Sequence, residues 1–511
     1  MDERECVFDW EANGLNDGFR YPHQIAIIDN DNESICNTYN MRLPHYELPG
    51  PIALYKTNTN WKKTKEDHPS LYEIMPSILD DLLSYDIIWA YNYSYDKGVL
   101  EESLFNTGRS PYLYKDKIVC DAMPFISIAS ILYPKVIKIP KIEGERRGKK
   151  GTYNSHKLEN VYKENFTDDD ELTWHVAESD IIATSRLLQK IKSEAPEFWD
   201  LRTRMFSKFA REDIFSKRAV WIRYYQDKKQ MFPMLPVYER DRDNYFSIDL
   251  EKYEKVGGLQ EKHKKQIIRV GSGDSKTLPE WLHSSYIKTG GIKLEASWYD
   301  MPIKYNLPSD SDLLEIKNLI NEYLSDLQIW PDKDERYLEK TRFGFPARQD
   351  LASWDAFHRA ETWDEKVQIK FKDARSKRMA KRIIFDNAPE VLDDNAYKVI
   401  EEFIKERWMS IGPDQRPTKG FDSGKTWMTI PTALENIRKC EMEENLEENS
   451  ELDLDCLKGY KEYLLDLNYN VYGIVRRHSV CENQSTRIEH LLKNMHDEIN
   501  RNMVLLSLIH I

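Results

Sequence analysis

Residues 5–14 read ECVFDWEANG. Cys6, Val7, Phe8 and Trp10 give this run the character of a strand, and two acids interrupt it. Asp9 and Glu11 are two residues apart, and the two-residue repeat of a strand puts both side chains on one face. Two carboxylates that point the same way repel unless a cation sits between them, and buried acids need partners.

Further strands follow in QIAIID and SICNTYNMRL, separated by Asn30, Asp31 and Asn32, which favour a hairpin turn. LYEIMPSILDDLLSY then has helical periodicity, with Leu71, Ile74, Ile78 and Leu82 on one face. DIIWAYN suits a buried strand, and YDKGVLEESLFNTG a helix ending at Gly108. HVAESDIIATSRLLQKIKSE reads as an amphipathic helix stopped before Pro196. Strands first, then strands alternating with helices, predict a mixed α/β domain over 1–195. Trp, Tyr and Pro recur in short strand-like runs over 200–345, which predicts a small β-rich domain. Residues 350–511 are poor in Gly and rich in Glu, Lys, Leu and Ile at helical spacing, so a helical domain is expected there.

Composition bounds the function. The chain has 511 residues, 40% hydrophobic and 32% charged, enough for real cores and for roughly three domains of about 150 residues. It lacks an apolar run of about 18 residues, so no membrane-spanning helix is expected. The formal charge is −13, from 74 basic and 87 acidic residues, which excludes a basic coat but not a local basic groove. Cys6, Cys36, Cys120, Cys440, Cys456 and Cys481 show no zinc spacing and read as reduced thiols. The charged start MDERECVFDW has no secretory apolar stretch, so a cytoplasmic protein is expected.

Three more residues join Asp9 and Glu11 as candidates. Asp96 lies at a helix start just after the DIIWAYN strand, Asp180 lies near the start of the last helix, and His175 lies five residues before it. Taken singly, Asp96 reads as a helix N-cap, Asp180 as a first-turn acid and His175 as a surface histidine. Together they supply hard oxygen ligands for Mg²⁺ or Mn²⁺ and a base that titrates near neutrality. Two such ions about 3.5–4 Å apart can hold a scissile phosphate and lower the pKa of an attacking water.

The ordered set FDWEANG, NYSYD and HVAESD resembles the three motifs of the DEDDh branch of the DnaQ-like 3′→5′ exonucleases. The H-x-x-x-x-D spacing of His175 and Asp180 marks the histidine branch. Later stretches are similar to the exodeoxyribonuclease I-like members of that family, among them LPGPIALYKTNTN, HKLENVYKEN, MLPVYERDRDNYFSIDL, IKLEASWYDMPI and KRMAKRIIFDNAPEVL. The resemblance implies an α/β ribonuclease H-like (DnaQ-like) exonuclease domain with a mixed sheet, then an SH3-like β domain and a C-terminal helical domain. It implies two Mg²⁺ ions on Asp9, Glu11, Asp96 and Asp180, replaceable by Mn²⁺, with His175 as general base. It implies terminal-nucleotide contacts from Glu11 and Ala12 and from Leu54 and Thr57 in a loop Pro51 to Asn60. That loop departs from the family, with Lys-Thr-Asn-Thr-Asn at 56–60 in place of a Thr-Gly-Ile-Thr-Pro-like stretch.

The activity so implied is release of 5′-mononucleotides from the 3′ end of single-stranded DNA by a monomer. The acidic tail of a single-stranded-DNA-binding protein is the implied partner. A single strand needs a cationic track. Arg146, Arg147, Lys149 and Lys150 in a loop qualify, as do Arg375, Lys377, Arg378, Lys381 and Arg382 on a helix, with Arg375, Arg378 and Arg382 on one stripe. The bland reading of both is a solvated face. The alternatives are an exoribonuclease, a polymerase-bound proofreading module, and an inactive strand-end-binding protein. The chain's length argues against the first, and the retained acids with His175 against the last.

Overall fold

The computed structural model describes residues 3–14, 20–57, 59–65, 68–146, 149–166, 172–174, 176–206, 221–225, 230–241, 244–268, 279–286, 307–326, 348–408, 428–446 and 454–469. The first unit is built on strands β1 (Glu5–Ala12), β2 (Pro22–Asp29) and β3 (Asn32–Asn40). Then come helices α1 (Pro51–Lys56) and α2 (Leu71–Leu82), strand β4 (Ile87–Ala90), α3 (Ser94–Asn106), β5 (Ile118–Asp121) and α4 (Ala122–Leu132). A hairpin of β6 (Lys141–Arg146) and β7 (Lys149–Asn154) leads into α5 (Leu158–Asn165), α6 (Ala177–Glu194), α7 (Pro196–Trp199) and α8 (Arg202–Phe206).

The sheet order is β3-β2-β1-β4-β5. β1 is antiparallel to β2 and parallel to β4, so it sits where the sheet changes sense. Its pairing with β4 ends at Val7↔Trp89, which leaves Asp9 and Glu11 beyond the last paired residue. Both faces of β1 are covered. Cys6, Phe8, Trp10 and Ala12 pack with α2 and α3, whereas Val7 packs into the core containing α4 and α6. The face that carries Asp9 and Glu11 is therefore the α6 face.

Local chemistry explains most of these elements. Ser70 and Glu73 form a reciprocal capping box at the start of α2. The face that α2 buries is Leu71, Met75, Ile78 and Leu82, with Met75 taking the place expected of Ile74. Gly108 ends α3 at φ 73°, and a Cβ there would meet the Trp354 ring at 2.2 Å. Two stretches expected as loops are ordered. Residues 51–56 are a helix, started by Pro51 in its first turn and held by the burial of Leu54 and Tyr55. Lys141–Arg146 and Lys149–Asn154 pair as a hairpin whose backbone ladder needs no apolar alternation.

The second unit has β8 (Trp221–Tyr225), β9 (Gln230–Asp241) and β10 (Asn244–Asp249), helices α9 (Leu250–Lys255) and α10 (Glu261–Ile268), β11 (Leu282–Tyr286) and α11 (Asp310–Asp326). Its antiparallel sheet runs β11-β10-β9-β8. The three helices cover that sheet through Leu250, Tyr253, Ile267, Leu313 and Ile316, a helical content the strand-like texture did not predict. Residues 287–306 lie outside the described residues.

Helices α12 (Leu351–Arg359), α13 (Trp363–Gln368), α14 (Ala374–Asn387), α15 (Asp394–Trp408), α16 (Ile430–Leu446) and α17 (Tyr460–Tyr469) make up the rest, with short 3-10 turns at Pro389–Val391 and Leu454–Leu457. Their core is shared with the first unit. Tyr21, Leu43, Tyr46, Leu54 and Trp61 are buried in one cluster with Ile404, Trp408, Ile430, Tyr460 and Leu464. Five of the six cysteines are described, all as free thiols and four of them buried. Among the described residues no helix is long and apolar enough to cross a membrane.

One ion pair fastens the helical block to the sheet. Arg42, two residues past β3, donates to the Asp386 carboxylate at 2.9 Å and to its carbonyl at 2.6 Å, and the His45 amide donates to the same carboxylate at 2.7 Å. Both side chains are nearly buried, at 13% and 10% exposure. Removing one partner of such a pair strands the other charge and costs about 3–5 kcal/mol. Asp386→Ala is therefore expected to destabilise the full chain by about that amount, with Asp386→Asn costing less. Denaturant unfolding reads it, and a change under about 0.5 kcal/mol contradicts the fastening role.

Candidate metal centre

The site forms where three elements converge on the end of β1. Asp9 and Glu11 project from the strand, and α6 lies over the same face with Asp180 in its first turn. Ligand oxygens of Asp9, Glu11 and Asp180 lie within 4.8 Å of one another, and each side chain is half-buried. Asp96, in the first turn of α3, is 2% exposed and reaches over the short end of β4. Its carboxylate accepts the backbone N–H of Trp10 at 3.1 Å, between the two acids of β1. Asp96 is thus not the N-cap of α3; Tyr93 holds that position.

The turn that delivers Asp96 is itself constrained. Asn92 has φ 61°, a left-handed conformation that asparagine tolerates better than most side chains. Asp121, the last residue of β5, accepts the Asn92 amide at 3.1 Å and caps α4 through the Met123 amide at 3.2 Å. The sequence reading missed Asp121. Its only signal was an Asp placed directly before the apolar helix AMPFISIASIL.

Electrostatics separate these acids from ordinary structural ones. Glu5, on the same face of β1, accepts Trp89 Nε1 at 2.8 Å and pairs with Arg202 at 2.7 Å. Among the described residues no cationic side chain pairs with Asp9 or Glu11. Burial pushes the carboxyls of Asp9 and Glu11 well above the usual carboxylate range, and neighbouring carboxylates add to the effect. Their side chains keep a partial opening to solvent, but the protein density around them is that of an interior. Asp96 is raised to about 8, mainly by burial. The donor set is all carboxylate oxygen, which is the chemistry a hard divalent cation requires. The residues present therefore fit one.

The loop that leaves β1 is pinned from two sides. Arg20 pairs with Glu102 of α3 at 2.6 Å, and its guanidinium lies 5.7 Å from the centre of the Tyr95 ring. Tyr95 donates its hydroxyl to the Gly14 carbonyl at 3.2 Å. Asn13 and Tyr21 close the loop, with the Asn13 amide on the Tyr21 carbonyl and the Tyr21 amide on Asn13 Oδ1. Gly50, the N-cap of α1, lies so close that a Cβ there would be 2.0 Å from the Asn13 carbonyl oxygen.

The remaining expected site residues fare differently. Ala12 is buried at the point where the β1–β2 register shifts, so only its backbone is offered. Leu54 is fully buried in the shared core, so its side chain is not offered to a nucleotide. Thr57 is half-buried, and its hydroxyl bonds to the Ala53 carbonyl and to Thr59 Oγ1. The backbones of Arg146 and Lys149 pair at the end of the β6–β7 ladder, where a loop was expected. Arg147 and His175 lie outside the described residues; Trp174 and Val176 on either side of His175 are described. Arg378 and Lys381 are exposed on α14, as the sequence reading expects. Arg378 shares a groove between the units with Tyr46, Phe105, Asn106, Arg375, Met379 and Arg382. There the Arg375 and Arg382 guanidinium groups lie 4.3 Å from the Phe105 ring centre and 3.8 Å from that of Phe403.

No protein-family model and no curated protein matches the chain by sequence. Solved structures do match. The zinc-bound form of an E. coli Exonuclease I–single-stranded DNA complex superposes with a TM-score of 0.68 at 15% identity, over 91% of this chain and 100% of that one. Exonuclease I from Methylocaldum szegediense gives 0.66 at 17% identity, over 91% and 100%. A complex of Exonuclease I with SSB-Ct gives 0.68 at 14% identity, over 92% and 100%. Identities this low carry the fold and no more: over 91% of its length, the chain is similar to the Exonuclease I fold.

Proposed function

We propose that this chain is a 3′→5′ exodeoxyribonuclease that releases 5′-mononucleotides from single-stranded DNA. The observation that carries the reading is the convergence of Asp9, Glu11 and Asp180 within 4.8 Å with no described cation to balance Asp9 or Glu11. The Exonuclease I fold supports it, since E. coli Exonuclease I has been solved with single-stranded DNA. In this reading the block 200–345 is an SH3-like unit, 350–511 a helical domain, and the exonuclease domain spans 1–195.

Asp9, Glu11, Asp96 and Asp180 would hold two divalent ions, Mg²⁺ with Mn²⁺ as a substitute. When bound, such ions supply Lewis acidity at the scissile phosphate and acidify a water. The protein's own contributions follow from its geometry. The Trp10 amide orients Asp96, and Asp121 fixes the Asn92 turn before it. His175, five residues ahead of Asp180, takes the proton of the attacking water. Glu11 and the Ala12 backbone, with Thr57, lie toward the 3′-terminal nucleotide. Arg378 and Lys381 on α14, Arg146 and Lys149 of β6 and β7, and Arg147, which lies outside the described residues, grip phosphates. The SSB-Ct complex of Exonuclease I supports docking of the acidic tail of a single-stranded-DNA-binding protein.

The direct test is release of nucleotides from 3′-labelled single strands of DNA and matched RNA in Mg²⁺. Asp9→Asn is expected to lower the rate at least about 10²–10³-fold, the scale of losing a preorganised transition-state charge. His175→Ala is expected to cost about 10²–10⁴-fold. Unchanged rates in both variants refute the assignment, and faster cleavage of RNA shifts it to an exoribonuclease.

Metal removal has its own signature. An acid whose pKa is raised on folding holds a proton that the unfolded chain has lost, so stability falls as pH rises from its unfolded value to its folded one. For Asp96 that window runs from about 4 to about 8. In a chelator, the Tm is expected to fall between pH 5 and pH 8. Excess Mg²⁺ or Mn²⁺ flattens this slope, and so does Asp96→Asn. A Tm that rises over the same window without metal contradicts the charge imbalance.

Phosphate contacts are read by salt. Arg378→Ala and Lys381→Ala are each expected to reduce the slope of log affinity against log salt for single-stranded DNA by up to about 0.7. An unaltered slope in both returns those side chains to a solvated face.

A further inference from the structure

The segment between β3 and α2 contributes none of the clustered carboxylates, yet the C-terminal block holds it at Tyr46, Pro49 and Trp61. The Tyr46 carbonyl accepts Trp408 Nε1 at 3.0 Å, and the Pro49 carbonyl accepts the Tyr460 hydroxyl at 2.7 Å. Beyond α1, the Trp61 amide donates to the Cys456 carbonyl at 3.0 Å, and Trp61 Nε1 to the Lys458 carbonyl at 2.8 Å. The Trp61 ring stacks on Tyr460 at 5.0 Å and leans on Tyr463 at 4.7 Å.

Between these two grips lies α1, six residues long. A helix that short has no stability of its own in water. Its position is set from outside, by Leu54 and Tyr55 in the shared core and by Gly50 seated against the Asn13 carbonyl. Asn13 is two residues past Glu11, so α1 is wedged between the end of β1 and the C-terminal helices.

We propose that residues 454–464 are a brace for the catalytic face: through Trp61 and Tyr460 they fix α1 against the exit of β1 and so set how firmly a 3′ end is seated. Trp61 and Tyr460 are positioning residues, and neither reaches the reacting atoms. This rests on the exonuclease reading, because seating matters only if the end of β1 receives a strand terminus.

Tyr460→Phe deletes one polar tether and keeps its ring, and Trp61→Phe deletes another while leaving a smaller aromatic ring in place. Each is expected to raise KM for a single-stranded oligonucleotide about three- to tenfold, the range one buried hydrogen bond is worth, with kcat changed less than about twofold. A merely structural loss would instead lower kcat per chain at constant KM. Tyr253→Phe, which deletes the hydroxyl bond to Asp312 in the second unit, leaves both constants unchanged. Hydrogen exchange is read in the same variants. Lost protection of the 50–61 amides with β1 unchanged supports the brace, and unchanged protection with unchanged KM overturns it. A wild-type chain that cuts no strand refutes the exonuclease reading, and the exchange result then decides the brace by itself.

Discussion

Charge balance along one face of β1 is the constraint on which the rest depends. Glu5, Asp9 and Glu11 all project toward the α6 side of the sheet. Glu5 is satisfied inside the protein by Arg202 and Trp89. Asp9 and Glu11 have no such cation among the described residues, and Asp180 and Asp96 bring further negative oxygens to them. A fold can keep that imbalance only where something positive arrives from solution. The topology supplies the place: β1 outruns its parallel neighbour, and the crevice beyond the carboxyl ends of parallel strands is where open α/β sheets take ligands.

The cluster is expensive to hold in shape, and residues beside it carry that task. Arg20 and Glu102 tie the β1 exit loop to α3. Asp121 locks the left-handed Asn92. The helical block joins the first unit through a continuous core rather than a thin interface, so deformation of α14–α17 is transmitted to residues 42–61. This makes the C-terminal block part of the same mechanical body as the carboxylate cluster. It also explains how a chain with so little sequence in common with Exonuclease I keeps that fold, since packed volume and pattern can persist while individual residues change.

What the sequence made legible was whatever alternation and local capping dictate. ECVFDWEA announced a strand with two acids on one face, and Gly108 announced the end of α3. The acids could be grouped because each sat next to a readable element. Other features depend on tertiary contact and left little trace. Helix α1 is too short for periodicity, and nothing local to it says that Leu54 is buried in one cluster with Trp408 and Tyr460. The β6–β7 hairpin, KIEGER and KKGTYN, is mostly Lys, Gly, Glu and Arg, with too few strand formers in Ile142, Thr152 and Tyr153 to signal a strand. The aromatic texture of 221–326 hid three helices, because Tyr253 and Trp281 serve a helix–sheet core as well as they would a β-rich one. Asp121 was invisible as a site residue because its work is a cap and a turn.

The central claim is that divalent cations complete the carboxylate cluster at the end of β1. Titration of the metal-free full chain with Mn²⁺, followed by electron paramagnetic resonance, tests it without reference to any substrate. The account predicts saturable binding of Mn²⁺ that is lost in Asp9→Asn and retained in Glu102→Gln. Mn²⁺ that binds equally well to the wild type and to Asp9→Asn, or to neither, would contradict it.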